Sequence, residues 1–367
     1  QKKLLIIGFV WPEPKSSAAG TRMLQLIETF QKVGYRITFA SPCAKTDNAF
    51  NLESIQVSQI EITLNDTSFD DFVSNLQPNI VLFDRFMMEE QFGWRVAEQC
   101  PNALRILDTE DLHCLRKGRH QAYKEKQDFD KSYLFNTIAK REIASIYRSD
   151  LSLIISEAEM KILINDFKVD TTLLHYLPFM LESMSSEATK KLPDYTNREH
   201  FITIGNFLHE PNYNAVLYLK DTIWPLIRKQ LPEVEFHVYG AYSSPKVHQL
   251  HNEKEGFLVK GFAQDVNQVM QNAKVCLAPI RFGAGLKGKL IDAMVNGTPV
   301  VTTTVGAEGM YGELEPNGFI TDDYKVFANH AVALYSNESL WNNHQQNGYN
   351  IINERFCGRE FQNEFIH

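Results

Sequence analysis

The chain has 367 residues, of which 44% are hydrophobic and 22% charged, a composition typical of a globular protein with room for two domains. Its formal net charge of −8 argues against a general nucleic-acid binder. The five cysteines stand singly, which favours reduced cytosolic thiols over a zinc site or a disulfide framework, and no apolar run reaches the roughly 18 residues of a membrane-spanning helix.

Short apolar runs alternate with longer amphipathic stretches along the chain. Strands are predicted at 3–9, 36–41, 79–84, 104–108 and 151–155, and again at 201–205, 235–240, 257–260, 274–278 and 299–303. Helical patterns between them include 21–33, 70–76, 214–231 and 265–272. The first run is too short for a signal-peptide core and is interpreted as a buried strand. This alternation predicts parallel sheets covered by helices on both faces.

A polar segment at 182–199 has no apolar period and separates the two halves. The pattern therefore predicts an α/β fold with two Rossmann-like, doubly wound domains that face each other across a cleft. The first domain is expected to span 1–182, joined by a C-terminal helix at 345–367, and the second to span 183–344. Since ligands of open parallel sheets bind at the carboxyl ends of the strands, each domain is expected to contribute one ligand site.

The most informative segment is 278–294, where a strand runs into a glycine-rich loop that opens a helix. Glycines let the backbone approach a phosphate, and the first N–H groups of a helix attract anions. Lys287 and Lys289 add positive charge, and Asp292 can accept hydrogen bonds from the hydroxyls of a ribose. These features suit a nucleotide diphosphate that carries a sugar.

Two other interpretations compete. One is an ordinary strand–turn–helix with glycines for tight packing. The other is a dinucleotide fingerprint, because Gly283, Gly285 and Gly288 match G-x-G-x-x-G. That fingerprint requires its first glycine directly after the strand and an acid that closes the next strand. Here 279–282 intervene, and Glu308 lies well past the end of the strand at 299–303.

Several motifs occur together in a specific order. In the second half they are Ile204-Gly205-Asn206-Phe207 with Pro211-Asn212, then Trp224-Pro225, Val238-Tyr239-Gly240, Gly261-Phe262, the glycine–lysine loop and Gly306-Ala307-Glu308-Gly309; in the first half they are Gly20-Thr21-Arg22 and Asp108-Thr109-Glu110-Asp111-Leu112-His113. This set resembles the retaining glycosyltransferases of the two-Rossmann-domain (GT-B) architecture, family 4 or group 1. The segment at 108–113 resembles a bacterial subgroup that makes cell-surface polysaccharides.

The resemblance implies a donor site in the second half. Its expected members are Gly205, Asn206, Phe262, Gly283, Ala284, Gly285, Leu286, Lys287, Lys289, Asp292 and Glu308. In the family's Glu-x7-Glu signature the second acid, here Asp292, holds the ribose. The first acid is replaced by Ala284, so the amides of 283–285 or the carboxylate of Glu308 are expected to contact the sugar.

The family's two basic groups on the diphosphate are also replaced, by Asn206 and Asn212. Lys287 is therefore expected to stabilise the leaving diphosphate, supported by Lys289 and the helix N-terminus. Phe262 is expected beside the base. The alternatives are a solvated helix lysine at 289, a core aromatic at 262 and a loop or helix-cap acid at 308.

In the first half, the resemblance implies a catalytic His113 near the reacting centre. Asp111 and Asp108 would orient it or receive an acceptor hydroxyl, or alternatively cap the following helix. Gly20 is expected to bring an early loop close to phosphate or acceptor, or else to form a simple turn. Arg22 is expected to face the acceptor.

Resemblance further implies front-face transfer with retention, in which the leaving phosphate takes the acceptor's proton. No cofactor and no metal are expected, since no Asp-x-Asp lies in a suitable loop and no cluster has ligand spacing. The expected partners are a nucleotide-diphosphate sugar and a glycan or lipid-linked acceptor, and no nucleic acid. A sugar-nucleotide epimerase and a non-catalytic sugar-nucleotide-binding subunit remain alternatives.

Residues 115–148 carry nine Lys or Arg against four acids, on an otherwise acidic chain. Such a segment predicts peripheral contact with anionic lipid, or alternatively a solvated helix pair. The expected location is cytoplasmic, at the inner face of the membrane.

Overall fold

A computed structural model describes residues 2–366, apart from the side chains at 359, 360 and 366. Contacts divide this part of the chain into two compact units: 2–14, 19–180 and 360–366 in the first, and 15–18 and 181–359 in the second. The ends of the expected domains at 1 and 367 lie outside the described residues. At the C-terminus the units differ from the expected domains, because only 360–366, and not the whole of 345–367, groups with the first unit.

The first unit contains a parallel seven-stranded sheet in the order β3-β2-β1-β4-β5-β6-β7. Its strands are β1 Lys3–Ile7, β2 Arg36–Ser41, β3 Ser58–Glu61, β4 Ile80–Asp84, β5 Leu104–Asp108, β6 Leu151–Ile154 and β7 Leu174–Tyr176. Its helices are α1 Ala18–Lys32, α2 Ser68–Leu76, α3 Phe86–Gln99, α4 His113–Glu125, α5 Lys131–Leu134, α6 Thr137–Arg148 and α7 Glu157–Asn165. The central strands are buried on both faces, which explains their continuous apolar runs.

The second unit contains a parallel six-stranded sheet in the order β10-β9-β8-β11-β12-β13. Its strands are β8 Glu199–Ile204, β9 Phe236–Tyr239, β10 Phe257–Gly261, β11 Ala273–Ala278, β12 Val300–Thr302 and β13 Gly318–Ile320. Its helices are α8 Ser186–Thr189, α9 Glu210–Tyr218, α10 Trp224–Gln230, α11 Pro245–His248, α12 Val266–Asn272, α13 Gly288–Val295, α14 Thr304–Ala307, α15 Tyr324–Ser336 and α16 Glu338–Arg355; α17, Gly358–Ile366, ends the described chain.

Both sheets share one topology. The strand order reverses between β1 and β4 in the first unit and between β8 and β11 in the second. This is the order of a doubly wound Rossmann sheet, whose ligands bind at the carboxyl ends of the strands beside the reversal. The predicted fold class, α/β with two Rossmann-like domains, is confirmed.

Three strands were not predicted from the sequence: β3, β7 and β13, which have three or four residues each. The predicted helix at 214–231 is interrupted, because a π-helical turn at Leu219–Ile223 joins α9 to α10. Pro225 follows this turn and lacks the N–H that a continuous helix would need. Within the described residues, no helix is both long enough and apolar enough to cross a bilayer.

Candidate functional site

In the second unit, the loop between β11 and α13 has a backbone that its glycines make possible. Gly283 has φ 148° and Gly285 has φ 69°, backbone conformations that residues other than glycine rarely adopt. Gly288 opens α13, and a Cβ on it would lie 2.4 Å from the Cβ of Ala18. The glycines therefore leave parts of this loop without side chains, and the loop leads directly into a helix N-terminus. This is the arrangement that binds anions.

Lys287 is the N-cap residue of α13, and its side chain folds back over the loop. Its Nζ donates to the carbonyl of Gly285 at 2.8 Å, and the residue is only 9% exposed. The ammonium group therefore lies against the loop itself. An anion bound there would offer this ammonium stronger acceptors than a carbonyl.

Lys289 connects α13 to the segment after β8. Its Nζ donates to Oδ1 of Asn212 at 2.9 Å, and Nδ2 of Asn212 donates to the carbonyl of Asn206 at 2.9 Å. The alternative of a freely solvated Lys289 is wrong. The two asparagines that replace the family's basic residues are thus linked to a lysine contributed by a different element.

Asp292 lies one turn into α13, near Lys289. Burial raises the pKa of Asp292 to about 7, against the attraction of Lys289, which favours the ionised carboxylate. Burial also lowers the pKa of Lys289 to about 8. Both groups therefore exchange protons close to neutral pH, which makes Asp292 responsive to any donor or cation that approaches it.

The remaining expected donor residues lie in this loop or follow strands of the same sheet. Leu286 is buried and Ala284 is partly exposed, while Phe262 is half-buried directly after β10. Gly205 follows β8, and its lack of a side chain leaves room for Asn212, whose Cγ would lie 2.7 Å from a Cβ at 205. Glu308 ends α14, just after β12, and is partly exposed.

In the first unit, the expected site residues Arg22 and Gly20 pack closely against other protein atoms. Arg22 is fully buried, pairs with Asp108 at 3.2 Å and donates to the carbonyls of Leu177 and Pro178. The expectation that Arg22 faces an acceptor is therefore wrong. A Cβ on Gly20 would lie 2.5–2.7 Å from backbone atoms of Glu13, so this glycine permits close packing of loop and helix.

The carboxyl ends of β4 and β5 bring acidic residues together. Asp84, Asp108 and Glu110 are all buried, and one carboxylate oxygen from each lies within 4.8 Å of the other two. Burial and the neighbouring charges of Asp108 and Asp84 hold the pKa of Glu110 well above its usual range. Glu110 also has φ 61°, an unusual conformation for a glutamate.

His113 begins α4 and is held by the segment before it. Its Nδ1 lies 3.0 Å from the carbonyl of Asp111 and 3.5 Å from a carboxylate oxygen of Glu142. Because Nδ1 contacts acceptors, it carries the proton in the neutral ring, and Nε2 is then the basic nitrogen. The ring of Phe86 packs edge-on against it at 5.4 Å.

The N-terminus of α4 is capped by distant acids. Glu142 accepts hydrogen bonds from the backbone N–H groups of His113 and Cys114, and Glu159 accepts one from Leu112. Capping by Asp108 or Asp111 was the alternative interpretation of these two acids. Asp111 instead pairs with Arg116 at 3.2 Å.

Sequence reasoning missed Asp84, Glu110, Glu142 and Glu159. Asp84 closes a predicted strand, as Asp108 does, so its position was a usable signal. Glu142 and Glu159 lie within helical patterns, where an acid usually faces solvent, and nothing local marks them as buried.

Comparison with known proteins finds similar sequences. Residues 198–337 match the family model described as "Glycosyl transferases group 1". An uncharacterized 44.6 kDa protein in the cps region of Klebsiella pneumoniae is 22% identical over 164 residues, which cover 43% of this chain and 42% of that protein. The matched segments span less than half the length of the curated relatives.

Solved structures resemble the whole chain at low identity. A mutant of TarM from S. aureus, in complex with fondaparinux, α-GlcNAc-glycerol and UDP, has a TM-score of 0.74 at 11% identity and covers 100% of this chain and 99% of its own. HepE from Anabaena, in complex with UDP and glucose, has a TM-score of 0.70 at 14% identity, with 100% and 98% covered. Residues 198–337 therefore match the model of a group 1 glycosyl transferase domain, within a chain that has the GT-B fold.

Proposed function

We propose that the chain is a retaining glycosyltransferase that transfers a sugar from a UDP-sugar to a glycan or lipid-linked acceptor in cell-surface polysaccharide synthesis. The observation that carries the proposal is the loop at 283–289 with the helix α13 that follows it. This segment lies inside the matched domain and combines a glycine-rich backbone with Lys287, Lys289 and Asp292. The UDP bound to TarM and HepE and the relative in a cps region support the choice of donor and pathway.

In the proposed complex, the diphosphate accepts hydrogen bonds from the N–H groups at the start of α13. Lys287 turns from the carbonyl of Gly285 to the phosphate, since an anionic acceptor binds an ammonium more strongly than a neutral one. The ionised carboxylate of Asp292 accepts hydrogen bonds from the ribose, Phe262 packs beside the base, and Glu308 contacts the sugar. The family's usual basic groups are absent at Asn206 and Asn212, so Lys287 contributes most of the charge stabilisation.

The reaction proposed is front-face transfer. The acceptor hydroxyl attacks on the side from which the diphosphate leaves, and the phosphate takes the proton. The protein positions the reactants and stabilises the developing charge without a covalent intermediate. His113 and Asp111 are proposed to orient the reacting groups, and neither a cofactor nor a metal ion is proposed to assist the diphosphate.

The experiment is calorimetric titration of UDP, GDP, ADP and CMP against the full chain. We expect UDP to bind, and Lys287→Ala to weaken it at least tenfold, about 1.5–3 kcal/mol for a lost charge-assisted hydrogen bond. Lys229→Ala removes an exposed lysine of the same unit and is the control. Equal affinity in Lys287→Ala and wild type would remove the phosphate assignment.

Product analysis separates the enzyme classes. With donor and a glycan acceptor, proton NMR should show a product whose anomeric configuration matches the donor's. A sugar nucleotide epimerised without acceptor would support the epimerase instead, and nucleotide binding with neither transfer nor hydrolysis would support a binding subunit.

Membrane contact and cytoplasmic location stay predictions. At least four of the nine basic residues in 115–148 form ion pairs: Arg116 with Asp111, Lys131 with Asp166, Arg141 with Glu90 and Arg148 with Glu89. These pairs reduce the charge available for lipid. The exposed aromatic side chains of Phe135 and Tyr147, on the same segment, favour an interfacial role.

A further inference from the structure

The carboxyl ends of β4 and β5 form a buried carboxylate cluster, defined here as Asp84, Asp108 and Glu110. Their exposed fractions are 4%, 0% and 9%, so each is at least nine-tenths buried. One oxygen from each residue lies within 4.8 Å of the other two. Carboxylates do not approach one another in a protein interior unless something neutralises them.

The cluster is only partly satisfied by protein groups. Oδ1 of Asp108 accepts from Arg22, and Oδ2 of Asp84 accepts from the N–H of Phe9 at 3.1 Å. Within residues 2–366, the other oxygen of each aspartate and Oε1 of Glu110 have no hydrogen-bond partner. Of these three buried oxygens, Oδ1 of Asp84 has only an ion-pair contact with Nε of Arg85, and Oδ2 of Asp108 and Oε1 of Glu110 have neither a hydrogen bond nor an ion pair among the described residues.

The charges of the cluster do not balance. Arg22 compensates Asp108, and Nε of Arg85 lies 3.6 Å from Asp84. No ion pair of Glu110 lies within the described part of the chain, so one negative charge is in surplus when all three carboxyl groups are ionised. A proton on Glu110 would remove that charge and supply a single hydrogen-bond donor, whereas a divalent cation would bind one oxygen from each of the three carboxylates.

We propose that Asp84, Asp108 and Glu110 bind one divalent cation of the hard, oxygen-preferring class that includes Mg²⁺, Mn²⁺ and Ca²⁺. Ligand oxygens that lie about 2.0–2.6 Å from such an ion are separated from one another by less than about 5 Å, as these are. The ion would fix the segment at 108–113, which leads to Asp111 and His113. The cluster belongs to the first unit and the donor loop to the second, and the proposed cation does not depend on the proposed transfer reaction.

The test is Mn²⁺ binding to the full chain after treatment with a chelator, measured by electron paramagnetic resonance. We expect one Mn²⁺ per chain, displaced by excess Mg²⁺ or Ca²⁺. Glu110→Gln keeps the shape but removes a charged ligand, and should weaken Mn²⁺ at least tenfold; Glu61→Gln, at an exposed position of β3, should leave it unchanged. No stoichiometric binding, or equal affinity in Glu110→Gln and wild type, would overturn the proposal.

Thermal unfolding supplies a second readout. With chelator, Glu110→Gln should melt at or above the temperature of wild type, because the amide removes the surplus buried charge. Added Mn²⁺ should raise the melting temperature of wild type and not that of the variant. A wild type that Mn²⁺ does not stabilise, or a variant stabilised equally, would count against the cation.

Discussion

Asp292 and Lys289 occupy a site where burial disfavours both charges. Burial raises the pKa of Asp292 to about 7, and it lowers that of Lys289 to about 8. A ribose hydroxyl that donates to Asp292 would favour its ionised form, so nucleotide binding near pH 6.5 should release a proton. Asp292, which the sequence predicts as the ribose-binding residue, therefore has a pKa close to neutral pH in the folded protein.

The first prediction concerns the pH dependence of stability. The pKa of Asp292 is about 7 in the folded state and ordinarily 3.8, so between these values the folded state holds a proton that the unfolded state has lost. This contribution to stability falls as pH rises from about 4 to 7. For Lys289, whose pKa falls from 10.5 to about 8, stability rises with pH between 8 and 10.5.

Urea unfolding from pH 4.5 to 7 measures the first slope. In wild type, Asp292 should make the free energy of unfolding fall as pH rises over this range. The asparagine in Asp292→Asn cannot ionise, so this variant should lack that fall. Asp221→Asn, at an exposed position, should keep the wild-type slope. If Asp292→Asn kept that slope as well, Asp292 would not hold the proton.

At the scale of elements, α4 depends on acids from two other helices. Glu142 of α6 accepts from two backbone N–H groups at the start of α4. Glu142→Ala should destabilise the protein by about 2–4 kcal/mol, because two buried donors lose their partner. Glu90→Ala breaks the partly exposed pair with Arg141 and should cost less than about 1 kcal/mol. Urea unfolding followed by circular dichroism compares them; similar losses would contradict the capping role.

The elements show what local sequence can predict. Central strands such as β4 were predicted because burial on both faces demands a continuous apolar run. β3 was missed because its residues are mostly exposed and follow no apolar pattern. The glycine loop was predicted because its backbone requires glycine at given positions. The capping of α4 was not, because Glu142 and Glu159 reach it only through tertiary packing.

At the scale of the whole molecule, the chain leaves the second unit through α16 and returns to the first with α17. Phe365 packs edge-on against Phe30 at 5.4 Å and lies near His175. Composition and periodicity predicted a helical C-terminal segment. Helical periodicity does not specify where this segment passes from the second unit to the first, which is at about residue 360.

Phe365→Ala should therefore destabilise the first unit. A half-buried aromatic ring that loses these contacts should reduce the free energy of unfolding by about 2 kcal/mol. Asn363→Ala changes an exposed residue of the same helix and should have little effect. Equal unfolding midpoints for Phe365→Ala and wild type in urea would show that α17 adds nothing to the first unit.

A structure of the chain crystallised with UDP tests the central claim most directly. We predict the pyrophosphate within hydrogen-bonding distance of the backbone N–H groups at 283–288, the ammonium of Lys287 turned onto it from the carbonyl of Gly285, and the ribose hydroxyls on Asp292. A nucleotide bound elsewhere, with Lys287 still donating to Gly285, would contradict the account.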